Sequence, residues 1–311
     1  MQIGITGASG LIGRRVVDLA LQRGHEVIAF SRNPARTIIP GCSMRPFPDF
    51  TSAPPHSPQA APPPLAGPPE ELPDFSGCEA VVHLAGENVL GLWTPAKKRR
   101  IRESRLRGTR LVARALRSLP CPPEVFLSSS AIGYYGDSGE SELLESSPAG
   151  TGFLAETCQA WEQAASDAGT ARTVLLRTGI VLDPKGGALA VMAPLFRLGL
   201  GGTIGLGSQW MSWIHAADLA GMILFALENT EINGPMNGTA PWPERNRDFS
   251  QKLSQRLQKP CLFTVPSWAL AVLGDFSREL LDSKRVLPGV ATAHGFPFRF
   301  PDLDLALQNL L

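Results

Sequence analysis

Gly7, Gly10 and Gly13 stand in the run Ile3-Gly4-Ile5-Thr6-Gly7-Ala8-Ser9-Gly10-Leu11-Ile12-Gly13, and that run narrows the fold more than any other stretch of the chain. An apolar strand, Met1 to Ile5, enters a glycine turn. The turn opens an amphipathic helix with Leu11, Ile12, Val16, Val17 and Leu19 to Leu21 as its apolar set, and a second apolar run, Val27-Ile28-Ala29-Phe30, follows Gly24. Strand, turn, helix and strand within about thirty residues make one βαβ unit, the context in which such a turn holds a dinucleotide. Gly7 permits the tight turn, Gly10 lets backbone N–H groups approach a pyrophosphate, and Gly13 lets the helix pack closely on the strand. The helix N-terminus adds open N–H donors and partial positive charge. The competing reading is a purely structural βα turn.

The residues after the second strand select among dinucleotides. An NAD site places Asp or Glu there to accept from the ribose 2′-OH. Here the strand ends Phe30-Ser31-Arg32-Asn33-Pro34, without an acid. Arg32 offers a planar guanidinium suited to a 2′-phosphate and Ser31 a hydroxyl donor, which points to NADP(H). A solvated arginine opening a loop is the alternative.

A length of 311 residues accommodates one large α/β domain with an appended lobe. The net charge is +1 and no basic stripe is interleaved with aromatics, so no nucleic-acid partner is expected. Cys42, Cys78, Cys121, Cys158 and Cys261 are scattered, odd in number and without C-x-x-C spacing. They read as free thiols in a reducing compartment, neither a disulfide frame nor a metal site, and cytoplasmic location is the expectation. The fold begins at residue 3, which leaves no room for a targeting segment. The apolar stretch Ala188 to Leu206 is interrupted by Arg197 and glycines, so no membrane partner is expected. A small-molecule substrate and a monomer or homodimer complete the expected partners.

Between Pro40 and Pro73 lie Ala53-Pro54-Pro55, Ala60-Ala61-Pro62-Pro63-Pro64 and Gly67-Pro68-Pro69. Proline at this density forbids a helix interior and reads as a polyproline-like surface insertion or a ligand for a proline-binding module. Order returns at Cys78-Glu79-Ala80-Val81-Val82-His83-Leu84-Ala85-Gly86. A basic helix from Pro95 to Leu119 buries Ile101, Leu111, Val112, Ala115 and Leu116, and most of its charges form a solvated face. The strand Val125 to Ser130, a turn Ala131 to Gly136, a helix Phe153 to Ala168 and a strand Thr173 to Arg177 follow. Strands alternating with helices predict an α/β fold, a Rossmann-type doubly wound parallel sheet. Residues 1–185 are read as the NADP-binding domain with the proline insertion at about 40–73. Residues 186–311 form mostly a smaller C-terminal substrate lobe, with part returning to the sheet. In that lobe Ala216 to Leu227, Asn246 to Leu257 (capped near Asn246) and Ser267 to Leu281 read as helices.

The chain resembles the extended short-chain dehydrogenase/reductase superfamily, which includes nucleotide-sugar epimerases. The residues that carry this are Thr6 to Gly13, His83-Leu84-Ala85-Gly86, Ser128-Ser129-Ser130 with Tyr135-Gly136, and Arg177-Thr178-Gly179. It resembles more narrowly an epimerase-like family of NADP-dependent oxidoreductases. The marks are Gly86-Glu87-Asn88-Val89, Ser104-Arg105, Ser130 to Gly136, Trp161-Glu162, Ser212-Trp213-Ile214-His215, Asn233-Gly234-Pro235, Ala240-Pro241 and Gly295 to Pro301. The resemblance implies NADP(H) held by Gly7, Gly10, Gly13, Ser31, Arg32, Leu84, Ala85 and Arg105, with Ser9, Leu11, Ile12, Gly86 and Ile180 beside them.

One departure bears on the chemistry. Members of the superfamily pair a Tyr acid/base with a Lys four residues later. In the segment Phe153 to Glu162 those positions fall at Leu154 and Cys158, and the helix has neither Tyr nor Lys. The catalytic candidates that remain are Ser130, which matches the superfamily's substrate-binding serine or else satisfies the strand end, and the chain's two tyrosines, Tyr134 and Tyr135. Glu87 is a candidate acid if its pKa is raised. His215, with Asp218 three residues on, serves as an acid/base or as a helix cap. Met192, Phe196, Trp210 and Trp213 offer an apolar substrate wall, which suits an apolar substrate better than a sugar diphosphate. Two functions stay open: an NADP(H)-dependent oxidoreductase on a small carbonyl or hydroxyl compound, and an NADPH-binding sensor that has lost the chemistry.

Overall fold

A computed structural model describes residues 1–49 and 71–311, so most of the proline-rich stretch, residues 50–70, lies outside the described residues. The elements run β1 (Gln2–Thr6), α1 (Leu11–Gln22), β2 (Glu26–Ser31), β3 (Cys42–Pro46), β4 (Ala80–His83), α2 (Pro95–Arg117) and β5 (Val125–Ala131). A 3₁₀ turn (Ile132–Tyr135) follows, then β6 (Glu142–Leu143), α3 (Phe153–Ser166), β7 (Arg172–Thr178), β8 (Ile180–Asp183), α4 (Gly187–Arg197), β9 (Gly202–Ile204), β10 (Trp210–Met211) and β11 (Trp213–His215). The chain closes with α5 (Ala216–Glu228), β12 (Gly234–Gly238), β13 (Glu244–Arg245), α6 (Asn246–Arg256), β14 (Phe263–Val265), α7 (Phe276–Leu281), β15 (Arg285–Val286), α8 (Gly289–Ala293) and α9 (Leu303–Leu310).

Seven of these strands form one parallel sheet in the order β12-β7-β5-β4-β1-β2-β3. The order reverses at β1, with successive strands laid on opposite sides of it, which is the doubly wound arrangement. Parallel strands are covered on both faces and so need near-continuous apolar runs. One face packs Ile3, Ile5, Val82 and Leu127 against α1 and α5. The other packs Phe30, Val81 and Phe126 against Leu111, Val112 and Leu116 of α2. Thr94 caps α2, its hydroxyl accepting from Lys97 N at 3.2 Å. Helix α5 is apolar nearly all round because it is buried against α1 on one side and the lobe on the other. Its last carbonyls, at Ala226 and Leu227, accept from the guanidinium of Arg172 at the start of β7.

Beyond β7 the chain builds small sheets, β8 with β11, β9 with β14 and β10 with β13, around a separate core. That core holds Leu182, Leu189, Phe196, Trp213, Phe249, Leu253, Leu303 and Leu307. Strand β12 returns to the edge of the main sheet beside β7.

Two local expectations are corrected. The span Ser267 to Leu281 is not one helix: a 3₁₀ segment (Ser267–Leu273) and α7 are separated at Gly274, whose φ of +61° breaks the helical path. Asn246 is the first residue of α6 rather than its cap, which is Arg245. The Asn246 amide oxygen instead accepts from Ile204 N at 2.8 Å and ties α6 to β9.

The glycine turn is the tightest joint in the sheet. A Cβ on Gly13 would lie 2.1 Å from Gly7 O and 2.8 Å from Ala8 Cα, so α1 can reach β1 only without a side chain there. Gly13→Val is therefore expected to lower the stability of the cofactor-free protein by at least about 2 kcal/mol, read as a lower urea midpoint at unchanged slope.

Candidate functional site

The C-terminal ends of β1, β2, β4 and β5 converge on the glycine turn. Gly7 has φ +70°, and a Cβ there would sit 2.8 Å from Leu84 C and 2.9 Å from Ala85 N, so the chain leaving β4 passes directly over the turn. Gly10 donates its N–H to Gly7 O at 2.9 Å and caps α1 without a side chain, which leaves the first-turn N–H groups of the helix open. Ser9 is exposed, and its carbonyl accepts from Arg14 Nε at 2.9 Å. Leu11 and Ile12 are half-buried. Leu11 packs against Gly186, just past β8, where a Cβ would come within 3.0 Å of it. Ile180 opens β8, its N–H donating to Ser212 O at 2.8 Å.

Ser31 ends β2, its hydroxyl accepting from Asn33 N at 3.2 Å. Arg32 is exposed and makes no hydrogen bond or ion pair among the described residues. Arg105 is half-buried on α2, with its Nη1 donating to Glu87 O at 3.1 Å and Ile101 O at 3.2 Å and its guanidinium 5.0 Å from the Trp161 ring. The same Nη1 lies 3.9 Å from where a Gly86 Cβ would stand, so Gly86 keeps the approach to this cation open. Burial lowers the guanidinium pKa from its ordinary value without threatening its charge. Glu87 cannot serve as an acid. Lys97 Nζ donates to it at 2.8 Å, Arg100 stands at 3.6 Å, and the Lys97 hydrogen bond leads in holding its pKa below the usual range.

A pair not singled out from the sequence lies beneath the turn. Thr6 Oγ1 meets His83 Nδ1 at 2.6 Å, with both side chains fully buried. His83 Nε2 has no partner among the described residues, and burial pushes this imidazole down to about 4. The register Thr6↔His83↔Ser128 across three strands was the available signal, since paired residues of parallel strands share a face.

The catalytic candidates prove to be bound into one buried network. Ser130 Oγ donates to Glu162 Oε1 at 2.6 Å. Arg177 grips the same carboxylate twice, Nε to Oε1 at 2.9 Å and Nη2 to Oε2 at 2.8 Å. Arg177 Nη1 donates to Tyr135 Oη at 2.9 Å, and Tyr135 donates to Asn237 Oδ1 at 2.7 Å. Tyr135 is a brace: its hydroxyl is spent on both sides and burial raises its pKa. Tyr134 is half-buried, its ring lies 3.5 Å from the Arg177 guanidinium, and its hydroxyl makes no hydrogen bond among the described residues. Where a Tyr–Lys pair would stand, Leu154 packs against Gly133 and Cys158 is buried, with desolvation lifting its thiol to about 12. An inert thiol is the consequence.

The expected substrate wall is corrected. Trp213 is fully buried and donates its indole N–H to Trp242 O at 3.1 Å; Phe196 is buried beside it, and half-buried Met192 packs on the same core. His215 takes the second of its two readings, the helix cap. It caps α5, Nδ1 accepting from Ala217 N at 3.0 Å while Nε2 meets Asn309 Oδ1 at 3.1 Å, and its ring stacks on Phe300 at 3.9 Å. Burial holds it neutral, with a pKa of about 4. Asp218 does not reach it, accepting instead from Arg299 N at 3.1 Å and Phe300 N at 2.9 Å. Of the proposed wall only half-buried Trp210 stays near an opening, with its N–H on Glu140 at 3.1 Å. A cleft of about 620 Å³ lies there between Asp137 and Glu140, from the loop beyond Tyr135, and Leu206, Gln209, Leu281 and Ser283 of the lobe.

Residues 3–43 and 69–237 match the model of the NAD dependent epimerase/dehydratase family. The chain belongs to that family. Residues 265–310 match a domain of unknown function, DUF1731. An epimerase family protein SDR39U1 homolog, chloroplastic, of Arabidopsis thaliana is 37% identical over all of this chain and 87% of its own length. The epimerase family protein YfhF of Bacillus subtilis is 35% identical over 100% and 98%. The crystal structure of human epimerase family protein SDR39U1 (isoform 2) with NADPH superposes with a TM-score of 0.84 at 32% identity, covering 100% of this chain and 99% of that one. Among the described residues, no helix is long and apolar enough to cross a membrane.

The two buried histidines give the protein a pH signature. The unfolded chain protonates them near 6.5, whereas the folded chain holds both neutral down to about 4. Falling pH therefore loads protons onto the unfolded state first, and stability that is fully present above pH 6.5 drains away toward pH 4. Urea unfolding at about pH 5.5 is expected to report roughly 2 kcal/mol less stability than at about pH 7.5, and His215→Gln should remove about half of that difference.

Proposed function

We propose that the protein is an NADP(H)-dependent oxidoreductase acting on a small, uncharged carbonyl or hydroxyl compound. The observation that carries this is Arg32, an exposed guanidinium unpaired among the described residues, in place of the ribose-binding acid at the end of β2. Ser31 stands beside it, and half-buried Arg105 supplies a second cation near Gly86. The cradle fits a dinucleotide, because each of Gly7 and Gly13 stands where a Cβ would meet backbone, and the open N–H groups of α1 suit a pyrophosphate. The NADPH in the human relative's structure supports the same choice. When bound, the dinucleotide supplies or accepts the hydride. Leu84, Ala85 and Gly86 give it backbone at close range, and Leu11 opens the helix beyond the turn.

The cleft beside Trp210 is the place for substrate. Its wall of Leu206, Leu281, Gln209 and Ser283 carries no cation, and the nearby Arg245 is held by Glu140, so it suits an uncharged compound better than a sugar diphosphate. Tyr134 is the phenol with an unspent hydroxyl and is the candidate proton donor. Ser130 has its own proton committed to Glu162, so it can present only lone pairs outward. Five free cysteines accord with a reducing compartment such as the cytoplasm. Leu154 and buried Cys158 favour a second reading, a protein that binds NADPH and responds to it without turnover.

Purified wild type and Arg32→Ala titrated with NADPH and NADH, followed by nicotinamide fluorescence, test the cofactor assignment. NADPH is expected to bind wild type tightly and the variant about tenfold or more weakly, a difference of about 1.4 kcal/mol, with NADH weak throughout. Binding of neither cofactor would end the oxidoreductase reading. NADPH that binds and is never consumed across a panel of uncharged carbonyl compounds would select the sensor.

A further inference from the structure

Helix α6 lies in the lobe, away from the glycine turn. Its inner face buries Phe249 and Leu253 in the lobe core. Along its outer face Arg247, Gln251, Ser254 and Gln255 follow one another at helical spacing and line a pocket of about 490 Å³ that Lys259 completes.

The pocket gathers two cations, Arg247 and Lys259. Several of the lobe's cations are matched: Arg245 with Glu140 at 2.6 Å, Lys252 with Glu244 and Asp304, Lys284 with Glu279 and Asp282, and Arg285 with Glu142 at 3.0 Å. No carboxylate lines the pocket. Lys259 has no ion pair among the described residues, and Arg247 has only a loose one, Nε 3.6 Å from Asp248, with its two terminal nitrogens unengaged. The side-chain amides of Gln251 and Gln255 are likewise uncommitted. Ser254 is 2% exposed, and its hydroxyl finds no partner among the described residues. A buried hydroxyl left unpaired is costly unless something else completes it.

The backbone that delivers Lys259 is itself unusual. Gln258 is the only non-glycine residue with positive φ among those described, at 55°. It occupies the position after a helix end that glycine normally takes, and it turns the chain so that Lys259 N donates to Ser254 O at 3.0 Å. Pro260 then holds Lys259 extended. Strain of this kind at a surface turn is a pointer to function.

We propose that this pocket binds a phosphorylated small molecule. Two cations without a carboxylate match a phosphoryl dianion, one as a planar fork and one as a point charge. The Ser254 hydroxyl and the two amides are suited to the remaining oxygens. The pocket is larger than a phosphate alone needs, which leaves room for a polar organic part. The proposal is independent of the reading of the cofactor cleft.

Titration calorimetry with glycerol 3-phosphate, inorganic phosphate and glycerol at matched chloride, with and without saturating NADPH, tests it. Glycerol 3-phosphate is expected to bind one to one in both conditions. Arg247→Gln and Lys259→Gln should each weaken it at least about tenfold while leaving the melting temperature and NADPH affinity unchanged. Inorganic phosphate binding as well as the ester would support the site and name free phosphate as its source; weaker phosphate binding would support an ester. No heat up to about 10 mM glycerol 3-phosphate, equal binding of plain glycerol, or an unchanged Kd in the double variant would overturn the proposal.

Discussion

Arg177 and Glu162 meet through two parallel hydrogen bonds beneath the turn that follows β5, and nearly every candidate catalytic group is held by that pair. The side chains are almost wholly buried, so neither charge has water to fall back on. A buried ion pair adds little net stability, but removing one partner strands the other at a cost of roughly 3–5 kcal/mol. The pair therefore acts less as glue than as a constraint. It joins β7 to α3 directly, to β5 through Ser130, and to β12 through Tyr135 and Asn237. Glu145 extends the brace: its carbonyl accepts from Arg177, and its carboxylate accepts from Asn237 N and Val290 N at 3.0 Å.

The glycine turn is constrained in a different way from the α3 end. At the glycine turn the geometry is set by backbone approaching backbone, which tolerates no side chain at Gly7 or Gly13. At the α3 end the phenols and the guanidinium stand on the turn and on β7, and α3 contributes Glu162. Leu154 and Cys158 leave α3 apolar where it faces the 3₁₀ turn, while the phenols and the cation come from Tyr134, Tyr135 and Arg177. Of the two phenols, Tyr134 has no hydroxyl partner among the described residues, and its ring rests on the guanidinium, which fixes its orientation through cation–π attraction.

The sheet and the dinucleotide turn were legible because their signals are local. Apolar runs of five to seven residues, glycines at fixed offsets and a 3.6-residue period each reside within one element, and β1, α1, β5 and α2 stand where those patterns put them. The lobe was less legible. Phe196 and Trp213 could not be told from a substrate wall, since large apolar residues read alike whether they face a core or a cleft. Asn246 looked like a cap because its partner Ile204 lies 42 residues away. The hydrogen-bond register of Ser130, Glu162 and Arg177 was hidden for the same reason: the three occupy three elements, and only the parallel pairing of β5 with β7 brings them together.

The two units are tied at both ends of the region between them, by contacts of different strength. At one end Trp93, from the loop after β4, is buried against Phe153 and Phe276, each at 5.4 Å, and bridges to Gly274, with Lys98 and Asp275 paired outside. At the other, Trp210 lies between the guanidinium groups of Arg245 and Arg285, and Arg245 reaches Glu140 in the loop beyond Tyr135. Solvent screens the exposed ion pairs at both ends, so they contribute little. What distinguishes the ends is apolar burial, which the Trp93 cluster has and the Trp210 stack has in smaller measure. The apolar anchor between lobe and sheet therefore stands at Trp93 and the polar one at Trp210, on the side on which the cleft between Asp137 and Ser283 lies.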